Sequence, residues 1–308
     1  MAAVDGFETV EIASPGGRVR AQFVPGANLL CHSLTHDGGE LLHAGHGVRA
    51  YAERGKTMGI PLLYPWANRL AGPGYAAAGK RVNLPTPAGR YALDPNGLPI
   101  HGALPGLLGW QVQAAGGSDR LSATLQWDRP QLLELFPFVH ELRCDAVVTD
   151  TGLELASTVT ATGEDAVPVS FGYHPYLVAP GERPRPHWRV SLGATERLLA
   201  DDRMIPTGAR EPLAHTEFTL GEQSWDDGLA GLSDPAEFSV SAGGQKLIAR
   251  FEEGYRFAQV YAPPGQDFIC FEPMTAPTNA LAGSDALPVV APGEQYRARW
   301  RVTVAAEH

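Results

Sequence analysis

Cysteine is scarce in this 308-residue chain: Cys31, Cys144 and Cys270 are odd in number and far apart. Each falls in an apolar run, so no disulfide framework is expected and the three read as reduced core thiols of a cytoplasmic protein. A continuous apolar run of about 18 residues is missing, so no membrane-spanning helix is expected. The first residues lack a basic stretch followed by an apolar core, and no signal peptide is expected either. Cations are the minority, 24 Lys+Arg against 34 Asp+Glu, and the net charge of −10 argues against nucleic acid or an anionic membrane as partner. Helical periodicity is nearly absent; only 130–136 suggests a helix, and a short one. No repeat, low-complexity tract or Pro/Ser linker divides the chain, which predicts one domain over 1–308.

What is present is apolar alternation. Hydrophobic residues make up 44% of the chain, enough for a sizeable core, and 35 Gly with 26 Pro imply many turns. Period-two patterns occur at 18–23, 121–127, 138–148, 153–159, 256–261 and 298–304. Many half-buried strands without alternating helices predict an all-β, antiparallel architecture, a sandwich or barrel.

Several motifs imitate chemistry. Gly74 to Arg81 resembles a phosphate loop, but Arg81 stands where a Ser or Thr is needed and no helix pattern follows. His32, His36, His43 and His46 crowd together without the spacing of a metal site, so no metal is expected. No Gly-x-Ser-x-Gly elbow is present, which removes the commonest serine hydrolase reading.

Four stretches set polar groups among Gly, Pro and aromatics. In Phe268 to Leu281, Phe268, Cys270 and Glu272 share one strand face and Ile269 and Phe271 the other, with Pro273 expected to stop the pairing. A carboxylate at the end of an apolar strand is either poised for chemistry or bonded by the turn. The segment from Gly59 to Leu70 delivers Asn68 and Arg69 to a loop, where a guanidinium fork can hold two oxygens or merely brace the loop. In Leu98 to Gly102, His101 precedes a glycine that permits close backbone approach. In Ser170 to Leu177, His174 is flanked by Tyr173 and Tyr176 and held extended by Pro175. A core histidine tied to a backbone carbonyl is the plain alternative there.

Taken in order, Asn68-Arg69, His101-Gly102, Gly172-Tyr173-His174-Pro175-Tyr176 and Glu272 through Asn279 resemble the aldose 1-epimerase (galactose mutarotase) family. Phe136-Pro137-Phe138 and Met204-Ile205-Pro206-Thr207-Gly208 add to the resemblance, which spans positions 59 to 281. It implies a large antiparallel β-sandwich with few short helices and a sugar bound in an open groove. It also implies that Glu272 is the base at the anomeric hydroxyl and His174 the acid at the ring oxygen. Arg69 and His101 would bind sugar oxygens, with Asn68 and Tyr173 beside them, and an aspartate should join them, Asp226 in preference to its neighbour Asp227. No cofactor is implied, only an acid and a base on opposite sides of the sugar, and a bell-shaped pH profile.

Two other readings share the scaffold. Arg183, Arg185, His187 and Arg189 suggest a phosphorylated hexose as substrate, or else a solvated loop. A non-catalytic sugar-binding or sensing protein is the third, since fold does not fix function. The identity of the sugar, the stacking aromatics and the oligomeric state are not legible in the sequence.

Overall fold

Residues 2–113, 118–181 and 184–307 are described here from a computed structural model of the chain. Two large sheets dominate, and every strand ladder among the described residues is antiparallel. The first has nine strands, with Arg120–Trp127, His140–Thr149, Gly152–Ala161, Gln295–Ala306, Gln245–Glu253 and Ala236–Ala242 as its consecutive central members. These contain the longest alternating patterns of the sequence, each hiding every second residue. The all-β expectation holds, and so does the sandwich.

The second sheet, of eight strands, carries the functional residues. Its central order is Ala194–Ala200, Trp225–Leu232, Phe257–Ala262, Ile269–Met274 and Gly172–Tyr173. One core cluster draws apolar side chains from Ile12 to Val304, including Leu155, Trp300 and Val302 of the first sheet and Val260, Ile269 and Phe271 of the second. The faces of the strand Ile269–Met274 divide as period two requires. Ile269 and Phe271 enter this core, while Cys270 packs with Phe268 and Tyr176 on the opposite face. Glu272 follows Cys270 on that face.

Two details differ from expectation. The strand does not stop at Glu272 but runs through Pro273 to Met274, which pairs with Phe257 on one side and Gly172 on the other. Gly172 permits this, because a Cβ there would meet the Pro273 carbonyl oxygen at 2.6 Å. The helix expected over 130–136 closes after one turn, Pro130–Leu133. The other α-helix, Val48–Arg54, covers a small apolar cluster with Val24, Leu30 and Met58. Among the described residues no helix is long and apolar enough to cross a membrane.

Candidate active site

Glu272 sits fully buried in the middle rows of the second sheet, opposite Gln259 on the neighbouring strand. His174 reaches it from the segment after Gly172–Tyr173. The His174 N–H donates to the Pro61 carbonyl at 3.1 Å and the Tyr176 N–H to that of Gly59 at 2.8 Å, so both ends of this Pro175-containing turn are pinned. The result is a direct contact, His174 Nε2 to Glu272 Oε1 at 3.3 Å. The Tyr176 ring stacks on the imidazole at 4.5 Å and 5°, and Tyr261 meets it edge-on. The Tyr176 hydroxyl is itself fixed, 2.6 Å from Thr57 Oγ1.

Arg69 comes from a loop clamped on two sides. The His101 N–H donates to the Asn68 carbonyl and the Leu70 N–H to that of Pro99, both at 2.9 Å. Asn279 grips the same loop, donating its N–H to the Arg69 carbonyl and accepting the Ala71 N–H on Oδ1. Three non-glycine residues here have left-handed backbones: Asn68 (φ 55°), His101 (φ 62°) and Asn279 (φ 64°). Such conformations cost about 1–3 kcal/mol each and persist where surrounding structure over-determines them, commonly at functional sites. Gly102 (φ 78°) is required as well, since a Cβ would overlap the Tyr64 carbonyl.

The guanidinium of Arg69 is aimed by its neighbours. Nε donates to Asp94 Oδ2 at 2.8 Å, Nη1 to Asn68 Oδ1 at 3.0 Å, and Nη2 lies 3.9 Å from Asp226 Oδ2. Asp226 in turn accepts Gln259 Nε2 at 2.7 Å. Its neighbour Asp227 is occupied elsewhere, bound by Arg197 Nε at 2.7 Å.

These groups line one cleft of about 870 Å³, within the range of small-molecule sites. Asn68, Arg69, His101, His174, Asp226 and Glu272 all reach it, from stretches some 200 positions apart in the chain. Its aromatic wall is Tyr176, Tyr261 and Phe268. Tyr173 does not belong to this set. Period two turns it away from His174, and its hydroxyl lies 2.8 Å from Ser157 Oγ with its ring against Trp300 in the core. His174 and Glu272, the residues expected as acid and base, are in direct contact on one wall of the cleft.

The electrostatics follow from burial. Desolvation raises the Glu272 carboxyl well above its ordinary value, reinforced by the Asp226 charge and opposed by Arg69. Burial likewise pushes the His174 imidazole down to about 3, and that of His101 well below its usual value. Asp226 is raised, chiefly by burial. For Asp94 burial acts in the same direction, but the Leu98 N–H and the Arg69 guanidinium outweigh it and hold the carboxyl low. Glu272 Oε2, His174 Nδ1 and His101 Nδ1 are buried with no hydrogen-bond partner among the described residues. Unpaired buried polar atoms are costly, and here they gather around an open cleft.

Sequence reasoning passed over Asp94 and Gln259. Asp94 had a signal: in Asp94-Pro95-Asn96-Gly97 its Oδ1 accepts the N–H groups of Asn96 and Leu98, an aspartate turn just ahead of His101. Gln259 had none beyond its place in an alternating strand. Among the described residues, the arginines that suggested phosphate, Arg185 and Arg189, do not line the cleft. Arg185 is buried and donates to the carbonyls of Gly221, Gln223 and Ala262. His187 and Arg189 line a separate surface hollow, and Arg183 lies outside the described residues. No group of three or more His, Cys, Asp or Glu among the described residues is placed to hold a metal ion.

The fold and site together define a class: an antiparallel β-sandwich with a buried carboxylate–histidine pair at the floor of an open cleft. The aldose 1-epimerase family model matches residues 13–303, and the chain belongs to that family. Solved structures agree on the fold. The Slr1438 protein of Synechocystis sp. PCC 6803 is 23% identical, with a TM-score of 0.81 over 100% of this chain and 99% of that one. A galactose mutarotase-like protein from Clostridium acetobutylicum is 15% identical, with a TM-score of 0.85 over 98% and 96%. Galactose 1-epimerase from Lactobacillus acidophilus is 12% identical, with a TM-score of 0.75 over 100% and 98%.

Proposed function

We propose that the protein is a mutarotase, an isomerase that interconverts the α- and β-anomers of a hexose with Glu272 as base and His174 as acid. The observation that carries the reading is the buried 3.3 Å contact between Glu272 Oε1 and His174 Nε2 at the floor of the cleft. O1 and O5 of a hemiacetal are bonded to the same carbon, so the groups that serve them must be adjacent. Glu272 takes the proton from O1 as His174 gives one to O5, and the C1–O5 bond breaks. Rotation about C1–C2 then presents the other face of the aldehyde, and reclosure returns both protons. The balance needs no cofactor.

The resting pair is compatible with these roles. Burial favours a protonated Glu272 and a neutral His174, which hold one proton between them. Moving that proton onto the imidazole gives the base and acid forms without changing the count. Sugar hydroxyls donating to the carboxylate stabilise that ion pair. Arg69 and Asp226, one donor fork and one acceptor, fit hydroxyls further round the ring, and neutral His101 can add a hydrogen bond.

A second reading, a hexose bearing phosphate, is favoured by the cleft rim instead of the arginines first suspected. Arg54 and Lys56 line that rim beside His46, and neither has a carboxylate partner among the described residues. Polarimetry of freshly dissolved α-D-glucose, α-D-galactose and glucose 6-phosphate tests all of this against a Glu272→Gln control. Accelerated equilibration that the control loses supports mutarotation, and the preferred sugar decides about phosphate. Sugar binding without acceleration would leave a sugar-binding protein.

A further inference from the structure

The nine-stranded sheet has a hollow of its own, of about 660 Å³, near the edge formed by Arg189–Ser191 and Glu217–Thr219. No residue lining it also lines the cleft. The register explains what it contains. Val190, Val240 and Leu247 enter the core, so Arg189, Ser191, Ser239, Ser241 and Lys246 face outward. In one cross-strand row Arg189 pairs with Ser241, and Ser241 with Lys246. In the next row Ser191 pairs with Ser239. Two long cations thus flank a serine, on backbones about 10 Å apart.

The floor is sunken and polar. Ser239 and Ser241 are only 4% and 6% exposed although they face outward. Ser239 Oγ has no hydrogen bond among the described residues, and a buried hydroxyl without a partner is uncommon. Arg189 and Lys246 likewise make no ion pair among the described residues. Ser241 shows what the floor accepts: its hydroxyl donates to Glu307 Oε1 at 2.8 Å. The Glu307 N–H, donating to the Gly244 carbonyl at 2.9 Å, holds that carboxylate in place. A neighbouring hollow of about 350 Å³ shares Arg189, Ser241 and Glu307 and adds His187.

From this arrangement we infer that the hollow is a binding site for a water-soluble phosphate monoester, separate from the cleft. The inference does not depend on the mutarotase reading. A guanidinium fork, an ammonium and two serine hydroxyls supply donors to the three terminal oxygens of a phosphate, and two cations match its dianion. His187 and Arg189, which suggested phosphate in the sequence, belong to this patch. The organic part has room beside Ile248 and Thr219. Two acids also line the hollow. Glu217 stands in the second row, beyond Ser191. Glu307 takes the Ser241 hydroxyl that a phosphate would use, which makes it an internal competitor.

The test is calorimetric titration of the full chain with inorganic phosphate and with glycerol 3-phosphate at about pH 7.5, where a monoester is largely dianionic. Both are expected to bind, with affinity falling about tenfold in Arg189→Ala and rising about threefold in Glu307→Gln. Arg54→Ala, at the cleft rim, is expected to leave both affinities within about twofold. Absence of binding would overturn the site, as would binding that Arg54→Ala abolishes and Arg189→Ala spares. Weaker binding in Glu307→Gln, or phosphate bound with glycerol 3-phosphate excluded, would overturn it too. Sedimentation with phosphatidic acid vesicles separates the two sources of such a group. The net charge of −10 is expected to keep the protein off them, and retention that depends on Arg189 would assign the hollow to a lipid headgroup and overturn the soluble ligand.

Discussion

Asp94 holds Arg69 through a 2.8 Å hydrogen bond from Nε, with the carboxylate side chain only 1% exposed and the arginine 12%. That bond leaves the two terminal nitrogens of the guanidinium directed at Asn68 and Asp226. A buried acid therefore sets the direction of a guanidinium that lines the cleft with Glu272 and His174.

Replacing Asp94 with Asn keeps an acceptor for the turn and for Nε but removes the charge. KM for the accelerated hexose is expected to rise about tenfold, ~1.4 kcal/mol, with kcat changed less. Asp94→Ala leaves Arg69 without its partner and is expected to cost about 3–5 kcal/mol of stability. Steady-state kinetics and thermal melts check both. An unchanged KM in Asp94→Asn would separate the ion pair from sugar binding.

The pH profile has a worked direction. The competent free enzyme holds one proton on the Glu272–His174 pair. Activity falls on the acid side when a second proton adds to His174, whose imidazole is held near about 3 instead of the ordinary 6.5. It falls on the alkaline side when the raised Glu272 carboxyl loses its proton. The expected kcat/KM curve is a bell with no acid limb near 6.5. An acid limb centred there would show that His174 titrates as an exposed histidine.

Stability should show the same carboxyl. Glu272 is raised in the fold, so its favourable contribution is complete below the ordinary 4.5 and is lost as pH rises toward the folded value. Glu272→Gln removes that loss. The variant is expected to gain on the wild type as pH increases from 4.5, by about 1–3 kcal/mol at the alkaline end. Melting temperatures of the two proteins between pH 4.5 and 9 measure it. A constant difference would contradict a buried, raised carboxyl.

Tyr173 gives the negative control. Its hydroxyl bonds Ser157 in the core and touches nothing in the cleft. Tyr173→Phe is expected to lose about 1 kcal/mol of stability with kcat and KM unchanged. A specific loss in kcat would return this tyrosine to the site.

The family resemblance was legible because its residues sit in short local signatures. His101-Gly102 and Gly172 to Tyr176 each combine a polar tip with a Gly or Pro whose backbone effect is local, and Asn68-Arg69 lies between Pro65 and Gly72. Asp94 and Gln259 were not found because their roles are relational. Each is defined by the side chain it holds, Arg69 in one case and Asp226 in the other.

Alternation alone determined the antiparallel β architecture, since a side-chain period of two forces one face inward whatever the strand pairs with. It also set Ile269 and Phe271 against Cys270 and Glu272. Tertiary structure decided which distant strands became neighbours. Only the pairing of 257–262 with 225–232 and 269–274 brought Asp226, Gln259 and Glu272 into one patch. Likewise, His174 touches Glu272 because the backbone pins Tyr176 to Gly59, a contact across more than a hundred positions that no local propensity encodes.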